Sequence, residues 1–325
     1  MSNLDLHPAE SVCDGRLAVA TEPERTLLPG REVVLGGPRG TLVRRTLPHR
    51  DRRMVGAWCF ADHYGPEDIV DGPGMRVPPH PHTGLQTVSW LIEGDVLHRD
   101  SLGNEQLVRP GQLNLMTAGR GISHSEESPR ERPPVLHGVQ LWVALPDVER
   151  DVEPDFTHHP DLPRWTEAGA SVTVLMGEID GATSPARLYT PLVAADIALA
   201  PGAVVRLPLR HDFEYATLGL SGTAEVDGVA LDPGPLLYLG TGRAELTMRA
   251  DAGQAGQVLL LGGEPFEERI IMWWNLVGRS HDEVVQARED WMAGRRFGTV
   301  QGYNGDPLPA PAMPTTPLKP RGRHR

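Results

Sequence analysis

Cysteine is scarce in this sequence, and long apolar runs and excess positive charge are absent; each of these features excludes a class of protein. Cys13 and Cys59 are the only cysteines among 325 residues, so no disulfide framework holds the fold. No run approaches the roughly 18 apolar residues of a membrane span. The first 30 residues lack the apolar core of a signal peptide, so we expect a cytoplasmic protein.

The balance of charge is acidic. Asp and Glu number 43 against 31 Lys and Arg, which gives a formal net charge of −12. Such a surface repels phosphate backbones, so the sequence argues against direct binding to nucleic acid. A small molecule or a protein is the expected partner, and a monomer is favoured.

Glycine and proline, 36 and 31 in number, are spread along the whole chain between short apolar runs. Frequent turns between such runs are typical of sandwiches and barrels, and the length suggests two domains. We therefore predict an all-β fold with two barrels in tandem and a short C-terminal helix. The predicted parts are a polar arm (1–30), a first barrel (31–148), a second barrel (149–300) and a disordered tail (301–325).

The two strand-rich blocks, which are the two predicted barrels, share a weak internal sequence repeat. Each has a glycine turn followed by a Pro-Gly turn, at Gly94 and Pro110 in the first block and at Gly222 and Pro233 in the second. The repeat indicates a duplicated barrel, although Pro-Gly turns recur in any β protein. The polar stretch 146–164 between the blocks is predicted to be a linker or a long inter-domain loop.

The C-terminal part has the pattern of one amphipathic helix. Ser280 and Glu283 have the spacing of a capping box, in which Glu283 reaches back to the amide of Ser280. We expect a helix that packs on a barrel and stops near Gly294. The apolar face is predicted to consist of Val284, Ala287, Trp291 and Met292.

His80-Pro81-His82 is the first half of a candidate site. On an extended segment, residues two apart point to the same face, so both imidazoles face the same way. Two imidazoles on one face are a natural start for a transition-metal site. By itself, such a pair is more often two polar side chains in a loop.

His124-Ser125-Glu126 is the second half, again with ligand-type residues two apart. The residues between the halves read as strands joined by turns, and a barrel returns such a chain to the same neighbourhood. Two such pairs together favour a metal site. Three imidazoles and a carboxylate suit Fe(II), Mn(II), Ni(II), Cu(II) or Zn(II) and argue against Ca(II) or Mg(II).

Gln86 has the same parity as His80 and His82. It is therefore predicted to form a hydrogen bond with a ligand or a bound water, or else to be an ordinary strand residue. His98 is interpreted as a satisfied strand histidine. The remaining histidines near the blocks lack a matching partner pattern and are left out of the ligand set, namely His63, His137, His158 and His159.

These motifs resemble the pirin family, a bicupin group of the cupin superfamily. The match is carried by His80-Pro-His82-Thr-Gly-Leu-Gln86-Thr-Val-Ser-Trp-Leu-Ile-Glu93-Gly94, by His98-Arg-Asp-Ser-Leu-Gly103-Asn104, by Arg109-Pro-Gly111, by Met116-Thr-Ala-Gly-Arg120-Gly-Ile-Ser-His124-Ser-Glu126 and by Arg288-Glu-Asp-Trp291 with Arg296-Phe297-Gly298. The resemblance implies two cupin barrels. It also implies one iron site in the first barrel, with His80, His82, His124 and Glu126 as ligands. Many pirins have a glutamate where this chain has Gln86.

The resemblance implies an Fe(II)-dependent dioxygenase that cleaves flavonols such as quercetin, with Glu126 as the catalytic base. A flat apolar pocket would then adjoin the metal; candidates nearby in sequence, each equally consistent with core packing, are Leu85, Trp90, Leu115 and Met116. One alternative is a non-enzymatic iron redox sensor that acts as a transcriptional cofactor through a protein partner. A third is a structural cupin stabilised by zinc.

Overall fold

Short strands separated by glycine and proline turns make up almost all of the regular structure. The computed structural model describes residues 24–35 and 41–324. Cys13 and most of the predicted polar arm lie outside the described residues. In chain order the first twelve strands are β1 (Thr26–Leu28), β2 (Arg31–Leu35), β3 (Thr41–Leu47), β4 (Trp58–Asp68), β5 (Arg76–His82), β6 (Leu85–Glu93), β7 (Val96–Asp100), β8 (Glu105–Val108), β9 (Leu113–Thr117), β10 (Ile122–Glu127), β11 (Val135–Ala144) and β12 (Asp155–His159).

The second half of the chain repeats this organisation and ends in a helix. Its elements are β13 (Arg164–Glu167), β14 (Ala170–Met176), β15 (Glu178–Ile179), β16 (Ala182–Thr183), β17 (Leu192–Leu199), β18 (Val204–Pro208), β19 (Glu214–Ser221), β20 (Ala224–Val226), β21 (Val229–Leu231), β22 (Leu236–Gly240), β23 (Glu245–Ala250), β24 (Gly256–Gly263), β25 (Ile271–Trp273), β26 (Leu276–Gly278) and α1 (His281–Met292). No helix among the described residues has the length and apolar character needed to cross a membrane.

Two barrels are built from matching pairs of sheets. The first combines a seven-stranded sheet, β12-β9-β6-β11-β4-β3-β2, with a four-stranded sheet, β5-β10-β7-β8. The second combines β1-β22-β19-β24-β17-β14-β13 with β18-β23-β20-β21. The strand orders correspond one for one, which agrees with a duplicated barrel. The prediction of an all-β fold with two barrels and a short C-terminal helix is confirmed.

The barrels pack through their seven-stranded sheets, so these sheets are buried on both faces. One continuous apolar core includes Val88 of β6, Leu218 of β19 and Leu259 of β24. Trp90 Nε1 crosses the interface and donates a hydrogen bond to Asp196 at 3.1 Å. Burial on both faces explains why the strand sequences are nearly continuous apolar runs rather than alternating ones.

The strands cross the predicted domain bounds at two places. β1, from the predicted polar arm, pairs with β22 of the second barrel, and β12 pairs with β9 of the first barrel. The stretch 146–164 is therefore not simply a linker, because Asp155–His159 forms an edge strand within it. The polar, proline-containing composition of that stretch concealed a short strand, since edge strands tolerate both features. The domain bounds themselves stay a prediction.

Residues 301–324 differ from the predicted disordered tail, since they make hydrogen bonds with both halves of the chain. Leu308 N donates to Pro79 O at 2.9 Å, and Arg321 exchanges two backbone hydrogen bonds with Ile270. Trp291 Nε1 of α1 donates to Leu308 O at 2.8 Å. Proline-rich composition predicts the lack of regular structure, but carbonyl oxygens and apolar side chains still make contacts.

The helix α1 begins where the capping box predicts. Ser280 Oγ accepts a hydrogen bond from Glu283 N at 3.2 Å. The reciprocal bond differs from the prediction, because the Glu283 carboxylate accepts from Arg279 N instead of Ser280 N. Val284 and Ala287 are buried as expected, whereas Met292 at the end of the helix is 51 % exposed.

Candidate metal centre

The neighbouring strands β5 and β10 bring the two histidine motifs together. In their antiparallel register His80 lies directly opposite His124, and His82 lies opposite Ile122. Directly opposite residues share a face of the sheet, and residues two apart along a strand do as well. His80, His82, His124 and Glu126 are therefore directed to one side, the interior of the first barrel.

Proline explains a local irregularity in this pairing. The register shifts between His124 and Glu126, so that Glu126 lies opposite Val77. The extra residue is in the β5 segment Pro78–Pro79, whose two nitrogens carry no hydrogen for the ladder. The shift places Glu126 further along the barrel interior than a regular ladder would.

Three imidazoles converge in the structure. One ligand-type atom from each of His80, His82 and His124 lies within 4.8 Å of the others, and all three residues are buried. His82 Nε2 and His124 Nε2 are 3.0 Å apart. This is the histidine part of the predicted set.

Glu126 belongs to an overlapping group with His98 and His124, again within 4.8 Å. Its Oε1 accepts a hydrogen bond from Ser89 Oγ at 3.0 Å. His98 is the residue whose proximity the sequence interpretation missed. Its Nδ1 lies 3.4 Å from His124 Nδ1, and its Nε2 lies 3.2 Å from Asp100 Oδ2. The alternation His98-Arg99-Asp100 on β7, read beside β10, was the available signal.

The outer ring nitrogens are fixed by oxygen acceptors. His80 Nδ1 is 2.9 Å from Pro78 O, and His82 Nδ1 is 2.9 Å from Asn275 O. A carbonyl oxygen only accepts, so each Nδ1 carries the proton and each Nε2 has a free lone pair. The His124 ring is fixed in the same way by two successive hydrogen bonds. His124 Nδ1 donates to His98 Nδ1, and His98 Nε2 donates to Asp100 Oδ2.

Burial keeps the three imidazoles neutral. It lowers the pKa of His80 to about 4. It also lowers the pKa of His82 and of His124 well below the usual value, and the neighbouring histidines act in the same direction. Neutral imidazole is the form that binds metal ions.

This donor set fits a transition-metal ion. With their outer nitrogens protonated, His82 and His124 direct two lone pairs at each other across 3.0 Å. That arrangement is repulsive unless a cation accepts both pairs. Burial also raises the pKa of the Glu126 carboxyl, and His98 and the Ser89 hydroxyl oppose that shift. Imidazole nitrogen with one carboxylate oxygen matches Fe, Mn, Ni, Cu and Zn rather than Ca or Mg.

Gln86 does not lie where strand parity placed it. Its Nε2 donates to Thr117 Oγ1 at 3.0 Å and to Arg187 O of the second half at 3.3 Å. Its Oε1 is buried without a partner among the described residues. The parity count ran through the turn at Gly84, where the chain leaves the four-stranded sheet for the seven-stranded one. A count of two is valid only within one strand, so Gln86 faces the other barrel.

A cavity of about 430 Å³ adjoins the four residues. Its apolar wall consists of Val33, Val34, Phe60, Val77, Trp142, Met272, Trp274 and Leu308. The rings of Phe60 and Trp142 are stacked with centroids 4.0 Å apart. The four candidates chosen by sequence proximity do not line this cavity and pack in the core, which was the alternative given for each of them, namely Leu85, Trp90, Leu115 and Met116.

The corresponding place in the second barrel has a different chemistry. The strands equivalent to β5 and β10 are β18 and β23, which pair with each other. Their inward residues are buried and apolar, namely Val205, Leu207, Leu246 and Met248. Elsewhere, His63 Nε2 lies 2.8 Å from His137 Nε2, so these two form a separate buried pair.

Comparison with known proteins agrees with this geometry. The pirin family model matches residues 40–143, and the pirin C-terminal cupin domain model matches residues 194–298. The chain is 50% identical over 286 residues to a Pseudomonas aeruginosa protein named "Putative quercetin 2,3-dioxygenase PA1205", covering 87% of this chain and 89% of that protein. It is 33% identical over 259 residues to human pirin, covering 78% and 87%.

A solved structure shows the same likeness in three dimensions. The crystal structure of a quercetin 2,3-dioxygenase from Acinetobacter baumannii matches with a TM-score of 0.86 and 45% identity, covering 90% of this chain and 96% of that one. The two family models fall on the two barrels, and the histidine cluster lies within the first match. The chain belongs to the pirin family.

Proposed function

We propose that this protein is a metal-dependent dioxygenase that opens the central ring of a flavonol, with Fe(II) as its metal. The observation that carries the proposal is the convergence of three neutral, buried imidazoles, with the Glu126 carboxylate close to one of them, His124, on an aromatic-walled cavity. Two relatives of high identity, from P. aeruginosa and A. baumannii, have names that specify action on quercetin. The choice of iron among the possible metals rests on the resemblance to pirins.

His80, His82, His124 and Glu126 are the proposed ligands. The three histidines present Nε2 toward the common centre, and Pro78 O and Asn275 O hold two of the rings in that orientation. When bound, a transition metal supplies Lewis acidity toward a substrate hydroxyl and the redox chemistry that O₂ requires. His98 and Asp100 position His124 from the side away from His82.

Glu126 is the proposed proton acceptor. It is the carboxylate of the cavity nearest the imidazoles, and burial raises the pKa of its carboxyl. A raised pKa makes a carboxylate a stronger base, so it accepts the proton of the flavonol 3-hydroxyl more readily. Ser89 Oγ donates to Oε1 and keeps that oxygen in place.

The cavity suits a flat aromatic substrate. A volume of about 430 Å³ is within the usual range for small-molecule sites. Trp142 and Phe60 form one face, and Trp274 and Leu308 come from the C-terminal part of the chain. The apolar part of the wall reduces the access of water to the reacting groups, which strengthens the electrostatic interactions there.

The test is turnover with a defined metal. The full-length protein is prepared without oxygen and loaded with Fe(II), its bound metal is measured, and quercetin loss is followed together with O₂ uptake. We expect turnover that requires metal and that is lost in His82→Ala. His211→Ala, a change of the same type at an exposed position on the second barrel, should have no effect.

Other outcomes favour the alternatives. Bound iron with no consumption of quercetin or O₂, and partner affinity that depends on oxidation state, would favour the redox regulator. Complete dependence of folding on zinc without a redox response would favour a structural role for the metal.

A further inference from the structure

A second and larger cavity adjoins the metal-site cavity. Its volume is about 850 Å³, and the two cavities share Arg31, Pro48 and Met272 as lining residues. The C-terminal segment 314–321 forms one side of it. The shared lining residues place the two cavities side by side, so a ligand with its rings beside the imidazoles would direct a substituent toward the second cavity.

The lining of this second cavity is strongly basic. It contains five basic side chains and, among the described residues, no Asp or Glu: Arg31, Arg50, Arg53, Lys319 and Arg321. The whole chain has a net charge of −12, so this concentration of positive charge is local. Clefts lined by one sign of charge attract ligands of the opposite sign and raise their association rates.

Some of this positive charge is not neutralised by the protein itself. No hydrogen bond or ion pair joins the side chain of Lys319 or Arg321 to another residue that the structure describes. Within the described part of the chain, Arg50 pairs with Asp51 alone, at 3.5 Å on the surface. Arg31 contributes to the electrostatic environment of Asp62, whose carboxylate already accepts two hydrogen bonds from Arg45 at 2.7 Å.

The floor of the cavity is apolar. Met54, Ile270 and Ile271 are buried there, and Leu318 is partly buried. A site with an apolar floor and a basic rim fits an amphiphilic anion better than a free inorganic one. The floor accommodates a ring or chain, while the rim binds the charged group through charge-assisted hydrogen bonds.

We propose that this basic cavity binds an anionic substituent, a sulfate or carboxylate, carried by the aromatic substrate of the metal site. The inference rests on the proposed function for its aromatic part and adds the substrate class, an aromatic organic anion. The neutral rings lie between Trp142 and Trp274, and the anionic group lies near Lys319 and Arg321.

The test compares three probes by calorimetric titration of the full-length protein under argon, so that no turnover occurs. The probes are quercetin, quercetin 3′-sulfate and inorganic sulfate. We expect the sulfate conjugate to bind at least tenfold more tightly than quercetin, because a hydrogen bond to a charged group contributes about that factor. The preference should shrink with added salt.

Variants assign the effect to this cavity. The double variant Lys319→Gln and Arg321→Gln should lose most of the preference for quercetin 3′-sulfate over quercetin. Its affinity for quercetin itself should be unchanged. Arg206→Gln with Arg249→Gln makes the same change of charge at exposed positions that line neither cavity, and the preference should be kept.

The outcomes separate this inference from the proposed function. Preference for the conjugate without any turnover of quercetin would contradict the dioxygenase and leave the anion site standing. Turnover of quercetin with equal affinity for conjugate and parent, or no binding of either compound, would overturn the anion site. So would inorganic sulfate that binds as tightly as the conjugate, since the aromatic part would then contribute nothing.

Discussion

His82 Nδ1 donates a hydrogen bond to the main-chain oxygen of Asn275, 193 positions further along the chain, at 2.9 Å. The segment that carries Asn275 connects β25 to β26 and is held to the first barrel by a backbone bond from Val277 N to Thr83 O at 3.1 Å. One ligand-type histidine is thus oriented by a segment that follows the second barrel. Outer partners of this kind fix the tautomer and the ring of a metal-binding histidine.

Leu276→Ala tests this dependence. Leu276 is fully buried, so its truncation should lower the free energy of unfolding by about 2–5 kcal/mol. Because the carbonyl that holds His82 then loses its support, metal affinity should fall as well. Leu246→Ala in the core of the second barrel is equally buried and should destabilise without changing metal affinity. Equal metal affinity in both variants would contradict the coupling.

His98→Gln tests the chain from Asp100 to His124. His98 lies 3.4 Å from His124 and 3.2 Å from Asp100, and it stacks on Phe156. Loss of such a partner lowers metal affinity by about 10–100-fold, and we expect that range here. The measurement is metal titration with a competing chelator. The control is His158→Gln, because the His158 side chain lies on β12 and bonds to Asn114, away from the metal-site histidines. Unchanged affinity in His98→Gln would remove this residue from the site.

Gln86→Glu gives opposite expectations from sequence and from structure. Parity in the sequence predicted that residue 86 forms a hydrogen bond with a metal ligand or a bound water, so a change there would alter metal affinity. In the structure the amide donates to Arg187 O at 3.3 Å, and a carboxylate there would face a carbonyl oxygen. We expect a loss of about 1–3 kcal/mol of stability and unchanged metal affinity, measured by urea unfolding and metal titration. A change in metal affinity at unchanged stability would favour the parity interpretation.

The buried pair of His63 and His137 predicts how stability depends on pH. Burial lowers the pKa of His63 to about 3 and that of His137 to about 4. Below about pH 6.5 these two histidines are therefore protonated in the unfolded chain but remain neutral in the folded one. The free energy of unfolding consequently falls as the pH decreases from that value toward the lowered pKa values. Between pH 7 and 5, His63→Gln should lose about 2 kcal/mol less stability than the native protein. Urea unfolding with parallel losses in both proteins would contradict this account.

The sequence predicts features that depend on residues within one strand, and it does not predict features that depend on which strands become neighbours. Residues two apart on one strand share a face, so the pairs in β5 and β10 could be recognised from residue spacing alone. Gln86 was misplaced because parity does not survive the turn at Gly84. His98 was missed because its closeness to His124 depends on which strand β10 joins.

The cavity wall shows the other limit. Trp142 and Phe60 are paired across β11 and β4, whereas Trp274 and Leu308 come from beyond the second barrel. No local pattern links such distant positions to a site near residue 80. The tail was predicted disordered for the same reason, since its contacts with Pro79 and Ile270 are made by backbone atoms that composition does not describe.

The most direct test of the central claim is the metal content of the purified protein, measured with its ligand variants. We predict about one transition-metal ion per chain in the native protein, and little or none in His82→Ala and His124→Ala, both still folded by circular dichroism. His211→Ala should retain the native content. Native metal content in the two ligand variants would contradict the assignment of the centre to these histidines.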